Sequence, residues 1–214
     1  MLTFKVLATL LSYPEADLQA AADEMTAAVE AEALLVTPHR EAVLRFITEM
    51  RGGDLLDLQS RYVDLFDRSR ALSLHLFEHV HGESRDRGQA MVDLRALYER
   101  HGLAVTPREL PDFLPLFLEF LSLLPIDEAR GHLTETAHIV TALWERMASH
   151  DSNYAGVLRA VASLTGAAPE RQAVEAVKTA AEAAAREEAT PDGTWAEAPV
   201  TFGPGCAAGG RTGL

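Results

Sequence analysis

Apolar positions recur along most of the chain at steps of three and four, the spacing of a helix with one buried face. Alternating runs that would mark half-buried strands are scarce. Leu2, Val6, Leu7, Leu10 and Leu11 share one helical face, and Pro14 stops it. Leu18, Ala22, Met25 and Val29 predict a second helix. Thr37 reads as an N-cap with Pro38 at the first helical position, and Gly52-Gly53 ends that helix after Val43, Leu44, Phe46 and Ile47. Leu55, Leu58, Tyr62, Leu65 and Phe66 mark the next. Leu72 to Phe77 reads as a short helix and His81-Gly82-Glu83-Ser84 as a turn. From Gly88 a helix runs through Met91, Leu94, Leu97 and Tyr98 to His101-Gly102. Thr106-Pro107-Arg108-Glu109 has capping-box spacing, but Pro111 and Pro115 move the expected start of the main helix to near Pro111. That helix is apolar nearly all round, so it should form the buried centre.

Leu133, Ala137, Val140, Trp144 and Met147 predict one further helix. Asp151-Ser152 caps another, which holds Tyr154, Val157, Leu158, Val161 and Leu164, and Gly166 ends it. Pro169 opens an Ala-rich helix that reaches about Ala189. From Thr190 the periodicity stops and Gly and Pro accumulate. The expectation is an all-α fold: a single helical-bundle domain of about eight or nine helices over residues 1–189, with a flexible tail over 190–214.

Composition narrows the class. The 214 residues carry 19 basic and 32 acidic side chains, a formal charge of −13, and 48% are hydrophobic. The chain can therefore bury a core, and its acid excess argues against a nucleic-acid partner. Glu187, Glu188, Asp192 and Glu197 against Arg211 place only a small share of that charge near the C-terminus. The single cysteine, Cys206, cannot form an internal disulfide or a Cys-rich metal site, which fits a reducing compartment. In the predicted tail it reads as an inert thiol. Val6 to Leu11 is followed by Tyr13-Pro14-Glu15 and not by a small-residue cleavage site, so it reads as a first helix. Phe113 to Leu124, interrupted by Pro115 and Glu119, falls short of the ~20 residues that cross a bilayer. These features predict a cytoplasmic protein with no direct membrane insertion.

Catalytic signatures are sparse. The sequence contains no GxGxxG, no GxxxxGKS/T and no GxSxG. His75, His79 and His81, with Glu78, make the densest candidate cluster. On a helix His75 and His79 would be one turn apart and could share a metal, the basis of an alternative reading as a metal-dependent or small-molecule enzyme. The spacing is not HExxH, and packing or hydrogen-bonded histidines account for it more simply, since a closed metal site needs about four ligands. Arg85 and Arg87 could clamp an anion, but no glycine-rich cradle accompanies them. Glu119, inside an apolar run, is either the helix's one polar stripe or a partly buried acid that needs a partner.

The runs Tyr62-Val63-Asp64-Leu65-Phe66-Asp67-Arg68 and Leu76-Phe77-Glu78-His79-Val80-His81-Gly82-Glu83-Ser84-Arg85-Asp86-Arg87-Gly88-Gln89-Ala90-Met91 resemble the delta-subunit-type assembly chaperones of respiratory nitrate reductase. Tyr98-Glu99-x-His101-Gly102-Leu103 and Arg108-Glu109-Leu110-Pro111-Asp112-x-Leu114-Pro115-Leu116 continue the likeness in order, as do Leu10-Leu11-x-Tyr13-Pro14 and Trp195-x-Glu197-x-Pro199-Val200. This is the NarJ branch of the redox-enzyme maturation chaperones, a group that includes TorD and DmsD. Where other branches carry a Glu-Pro-Asp-His-type motif, this chain reads Glu109-Leu110-Pro111-Asp112-Phe113.

The resemblance implies a chaperone and not a catalyst. It implies binding of the N-terminal peptide of the apo catalytic (alpha) subunit of nitrate reductase, and help with molybdenum cofactor insertion and complex assembly before membrane docking. It implies no stably bound cofactor, only transient contact with the partner's molybdenum cofactor. A basic amphipathic peptide helix needs an apolar trough with acids at its rim. Tyr62, Leu65, Phe66 and Leu116 can supply the trough, and Asp64, Asp67, Glu109, Asp112 and Glu119 the rim charge. His79, His81, Glu83, Arg85, Asp86 and Arg87 form a second candidate set, a loop contacting the partner or its cofactor.

Overall fold

The computed structural model describes residues 1–68, 70–81, 85–106, 109–150 and 152–189. Among them the chain folds into twelve α-helices: α1 (Leu2–Leu10), α2 (Ala16–Ala20), α3 (Ala22–Glu32), α4 (Thr37–Gly52), α5 (Leu55–Tyr62), α6 (Glu78–His81), α7 (Arg85–Arg100), α8 (Leu114–Ser122), α9 (Ile126–Glu135), α10 (Ala137–Met147), α11 (Tyr154–Ser163) and α12 (Arg171–Ala189). A π-helical turn, Val63–Asp67, continues α5, and a 3-10 turn follows at Arg70–Leu72. No strand occurs among the described residues beyond one isolated antiparallel bridge, His75 to Phe113. The all-α expectation holds. The predicted tail, with Trp195, Phe202 and Cys206, lies outside the described residues.

Two predicted helices are each split. Ala21 separates α2 from α3 and Thr136 separates α9 from α10, each with ψ near 2° in place of helical backbone. Neither break is a Gly or Pro, which is why the periodicity runs through both and the helix count is higher than expected. The helix predicted over Leu72–Phe77 is absent. That segment instead runs beside Pro111–Leu114: the Leu76 N–H donates to the Asp112 carbonyl at 3.0 Å and the Leu114 N–H to the Leu74 carbonyl at 2.8 Å. The main central helix starts at Leu114, with Pro115 in its first turn, and not near Pro111. Helix α7 begins at Arg85, ahead of Gly88.

The core forms where apolar stripes meet. α1 packs on α8 and α3, α4 on α3 and α11, and α10 on α11 and α12. Phe4, Leu7 and Leu11 of α1 and its end face Leu114, Phe117, Leu118 and Leu121 of α8 within one continuous cluster. An aromatic group of Phe46, Tyr62, Phe66 and Tyr154 ties α4, α5 and α11 together, with ring centroids 4.6–6.2 Å apart. The π turn serves this group. At about 100° per residue an α-helix would carry Phe66 progressively off the face of Leu58 and Tyr62, and the wider turn returns it inward. Gly156 lets α11 approach α4 closely, since a Cβ there would stand 3.1 Å from that of Ala42. No described helix is long and apolar enough to cross a membrane.

Candidate functional site

α1 and α8 lie antiparallel, because the Met1 amine donates to the Ser122 carbonyl while Ser12 and Phe113 line one cavity at the other end. Each helix has two faces. α1 turns Phe4, Leu7 and Leu11 inward and leaves Lys5, Thr9 and Ser12 outside, at steps of four and three. α8 buries Leu114, Phe117, Leu118 and Leu121 and leaves Phe113, Leu116, Glu119 and Leu123 on its outer side.

Between these outer faces runs a trough of three connected cavities. The largest, about 670 Å³, is lined by Thr9, Ser12, Tyr13, Leu18, Tyr62 and Phe113, with Glu15, Asp17, Asp67 and Glu109 as its charged residues. A middle cavity of about 100 Å³ shares Thr9, Ser12, Glu109 and Phe113 with the first and adds Lys5, Leu116 and Glu119. A third of about 280 Å³ shares Lys5, Glu109, Leu116 and Glu119 and extends over Tyr98, Val105, Phe120 and Leu123. The floor is aromatic and aliphatic, and among the described residues the charged side chains of the rim are acidic except for Lys5. Tyr62 holds the first cavity in place: its hydroxyl donates to the Leu11 carbonyl at 3.1 Å, and burial pushes the phenol well up.

The sequence-predicted peptide residues divide. Tyr62, Asp67, Glu109, Leu116 and Glu119 all line the trough. Glu119 is exposed, so it is the polar stripe of α8 and not a buried acid. Asp64 is exposed and pairs with Arg68 at 2.8 Å, outside the three cavities. Leu65 packs half-buried against the core, and Phe66 is inside it. Asp112 does not stand at a rim. Its side chain is 0% exposed. It accepts from the Phe77 N–H at 3.1 Å, lies 3.3 Å from His75 Nδ1, and has Arg87 at 3.8 Å. It is a tie between the Ser73–Glu78 segment and the start of α8, and it sets the backbone that presents Phe113 to the trough.

Sequence reasoning did not select Lys5, Thr9, Ser12, Tyr13, Glu15 and Asp17. The signal was present, since Lys5, Thr9 and Ser12 form the polar stripe opposite the apolar face of α1. Only the docking of α1 on α8 turns that stripe into a wall.

The second candidate set sits behind Asp112. Arg87 donates to Glu78 at 3.0 Å, which staples α7 to α6. His79 is buried, with Nε2 2.7 Å from the Ser73 carbonyl. A carbonyl can only accept, so Nε2 carries the proton. Burial is the main reason the His79 pKa lies below its usual value. Asp86 is exposed in the first turn of α7. Glu83 and the side chains of His81 and Arg85 lie outside the described residues. The metal alternative required His75 and His79 on one helix. His75 instead sits in the bridge to Phe113 and His79 turns inward, and among the described residues no group of three or more His, Cys, Asp or Glu could hold a metal.

Comparison with known proteins gives a consistent family. Residues 15–160 match the family described as nitrate reductase delta subunit. The nitrate reductase molybdenum cofactor assembly chaperone NarJ of Escherichia coli K12 is 44% identical over 202 residues, 94% of this chain and 85% of the relative. NarW of the same organism is 38% identical over 94% of this chain and 84% of its own length. NarJ of Bacillus subtilis is 30% identical over 81% of this chain and 94% of its own. The names of these relatives are those of assembly chaperones, not catalysts.

Proposed function

Because the chain belongs to the nitrate reductase delta subunit family, we propose that it is an assembly chaperone for the molybdenum cofactor of nitrate reductase, not an enzyme. Its partner is the catalytic (alpha) subunit, engaged in the cytoplasm before membrane docking. The engaged segment is that subunit's basic, amphipathic N-terminal peptide, laid as a helix in the α1–α8 trough. In this reading the molybdenum cofactor is the partner's, and the chaperone meets it transiently at the His79–Arg87 side.

One observation carries the reading: an apolar floor of Tyr62, Phe113 and Leu116 continues under a rim of Glu15, Asp17, Asp67, Glu109 and Glu119. A helix with an apolar stripe and flanking Lys or Arg buries the stripe and keeps its cations against the rim. Exposed charge pairs contribute only ~0.2–1 kcal/mol each, so the floor dominates affinity and the rim selects sign.

The test is the fluorescence anisotropy of a labelled synthetic peptide carrying the first residues of the catalytic subunit, titrated with the full chain at low and high salt. The expected result is saturable binding that weakens with salt, because the Debye length falls from ~10 Å at 0.1 M to ~3 Å at 1 M. No binding at any salt overturns the proposal.

A further inference from the structure

The trough is not symmetric end to end. Its α2 end holds Glu15, Asp17, Asp67 and Glu109, and no basic side chain among the described lining residues. Toward the α8 C-terminus the charged residues among those described are Lys5, Glu109 and Glu119, and the described lining is otherwise neutral, including Leu103, Ala104, Val105 and Leu123. Leu123 is 63% exposed there, an apolar side chain that the chain itself leaves uncovered. Among the described lining residues the charge therefore changes along the groove, from Glu15, Asp17 and Asp67 at one end to Lys5 with Glu119 at the other, Glu109 being common to both.

We propose that the trough accepts a cationic amphipathic helix in one direction only, with its N-terminal end between α2 and Asp67 and its C-terminal end beside Lys5. This rests on the peptide-binding reading and adds its polarity. Two independent effects agree on the direction. Lys or Arg side chains in the first turns of the occupant meet the four-carboxylate end. The helix macrodipole also places its positive N-terminus against those acids and its negative C-terminus against Lys5. Reversal would set the N-terminal positive pole against Lys5 and the free carbonyls against Glu15 and Asp17. The outer face of α8 from Phe113 to Leu123 is about 15 Å long, so it spans roughly three turns of a bound helix. An isolated helix that short is marginal in water, so the occupant becomes ordered as it docks. Lys5 then discriminates direction more than it adds affinity, since it is the one base among the described lining residues of the trough.

The experiment uses the full chain, amide-labelled for NMR, and two versions of the catalytic-subunit N-terminal peptide, one spin-labelled at its first residue and one at its last. The first label is expected to broaden the Leu18 and Ala21 amides, and the second those of Ala104 and Leu123. In a double-mutant cycle, Asp67→Asn weakens the cationic peptide by roughly two- to fivefold, the range of one exposed pair. The same substitution leaves unchanged a peptide whose N-terminal cations are replaced by Gln. The reversed broadening pattern, or equal broadening of both ends by either label, overturns the direction while leaving peptide binding intact. Absence of any broadening and any affinity removes the peptide-binding reading itself, and the direction with it.

Discussion

Replacing Asp112 separates a structural tie from a partner contact. Asp112→Ala removes the acceptor of the Phe77 N–H at 3.1 Å and the neighbour of His75 Nδ1 at 3.3 Å, both in a site with no exposure of the carboxylate. A hydrogen bond to a charged acceptor contributes ~1.5–3 kcal/mol, and the Phe77 N–H that loses it is only part-exposed. Arg87 keeps Glu78 at 3.0 Å, so the full cost of a broken buried pair does not apply, although its Nε is already without a partner. The total comes to about 3 kcal/mol. For a chain of this size ~1 kcal/mol moves Tm by ~2–4 °C, so Asp112→Ala should melt roughly 6–12 °C below wild type. Asp112→Asn retains one acceptor oxygen for Phe77 but turns an amide toward Arg87, and should fall about midway. Differential scanning fluorimetry with parallel peptide titration is the assay. A wild-type Tm combined with lost peptide affinity would refute the tie and return Asp112 to the rim.

Three further substitutions test the packing and the histidine. Gly156→Val forces apart α4 and α11, because even a Cβ at that position stands 3.1 Å from Ala42 Cβ. Overpacking of this kind costs ~1–3 kcal/mol, readable as a lower urea midpoint; an unchanged midpoint would show that the helices slide without strain. Tyr62→Phe deletes the hydrogen bond to the Leu11 carbonyl, and a loss of ~0.5–1.5 kcal/mol is expected by the same measurement. A loss above ~3 kcal/mol would mean that the ring stack shifted as well. Burial holds His79, and also His39 and His138, below the usual histidine value. The unfolded chain therefore takes up protons near pH 6.5 that the folded chain refuses. Stability is fully present above that pH and is lost as the pH falls toward the folded values. His79→Gln should flatten the decline of Tm between pH 7.5 and 5.5, and an unaltered slope would remove His79 from the account.

Helix positions are legible in this sequence because each buries one stripe, and Val6, Leu7, Phe46, Val140 and Val157 all fall where the three-four spacing puts them, whereas Leu2, at the start of α1, is exposed. The breaks at Ala21 and Thr136 are not legible. Both residues adopt a near-zero ψ open to any L-residue, so composition leaves no mark. The Leu72–Phe77 segment misleads for a different reason. Its helical spacing is real, but Asp112 captures the N–H groups of Leu76 and Phe77 from far along the chain, and local pattern cannot register a distant acceptor. The same contact hides the role of Asp112, which looks like its exposed neighbour Glu109 in sequence and is its opposite in burial. Of the trough, the α8 wall and Asp67 are readable because apolar and acidic residues alternate at helical steps. The α1 wall is not, because Lys5, Thr9 and Ser12 are ordinary solvent-face residues until α8 docks beside them.

α8 belongs both to the core and to the trough. Its inner face, through Leu114, Phe117, Leu118 and Leu121, belongs to the core, and its outer face supplies Phe113 and Leu116 to the trough. The Asp112 tie fixes its first turn from behind, at the junction with α6 and α7. An occupant of the trough therefore rests on a wall whose position is set by the Ser73–Glu78 segment, and its binding free energy adds to the stability of the same helix. A ligand that binds only the folded state at a hundred times its Kd contributes about 2.7 kcal/mol. That is close to the cost assigned to losing the Asp112 tie, so saturating peptide should restore most of the Tm of Asp112→Ala if the tie acts on α8 alone. If instead the substitution also loosens α6, which does not line the trough, recovery will be partial and the shortfall measures how far Asp112 holds the chain beyond the trough.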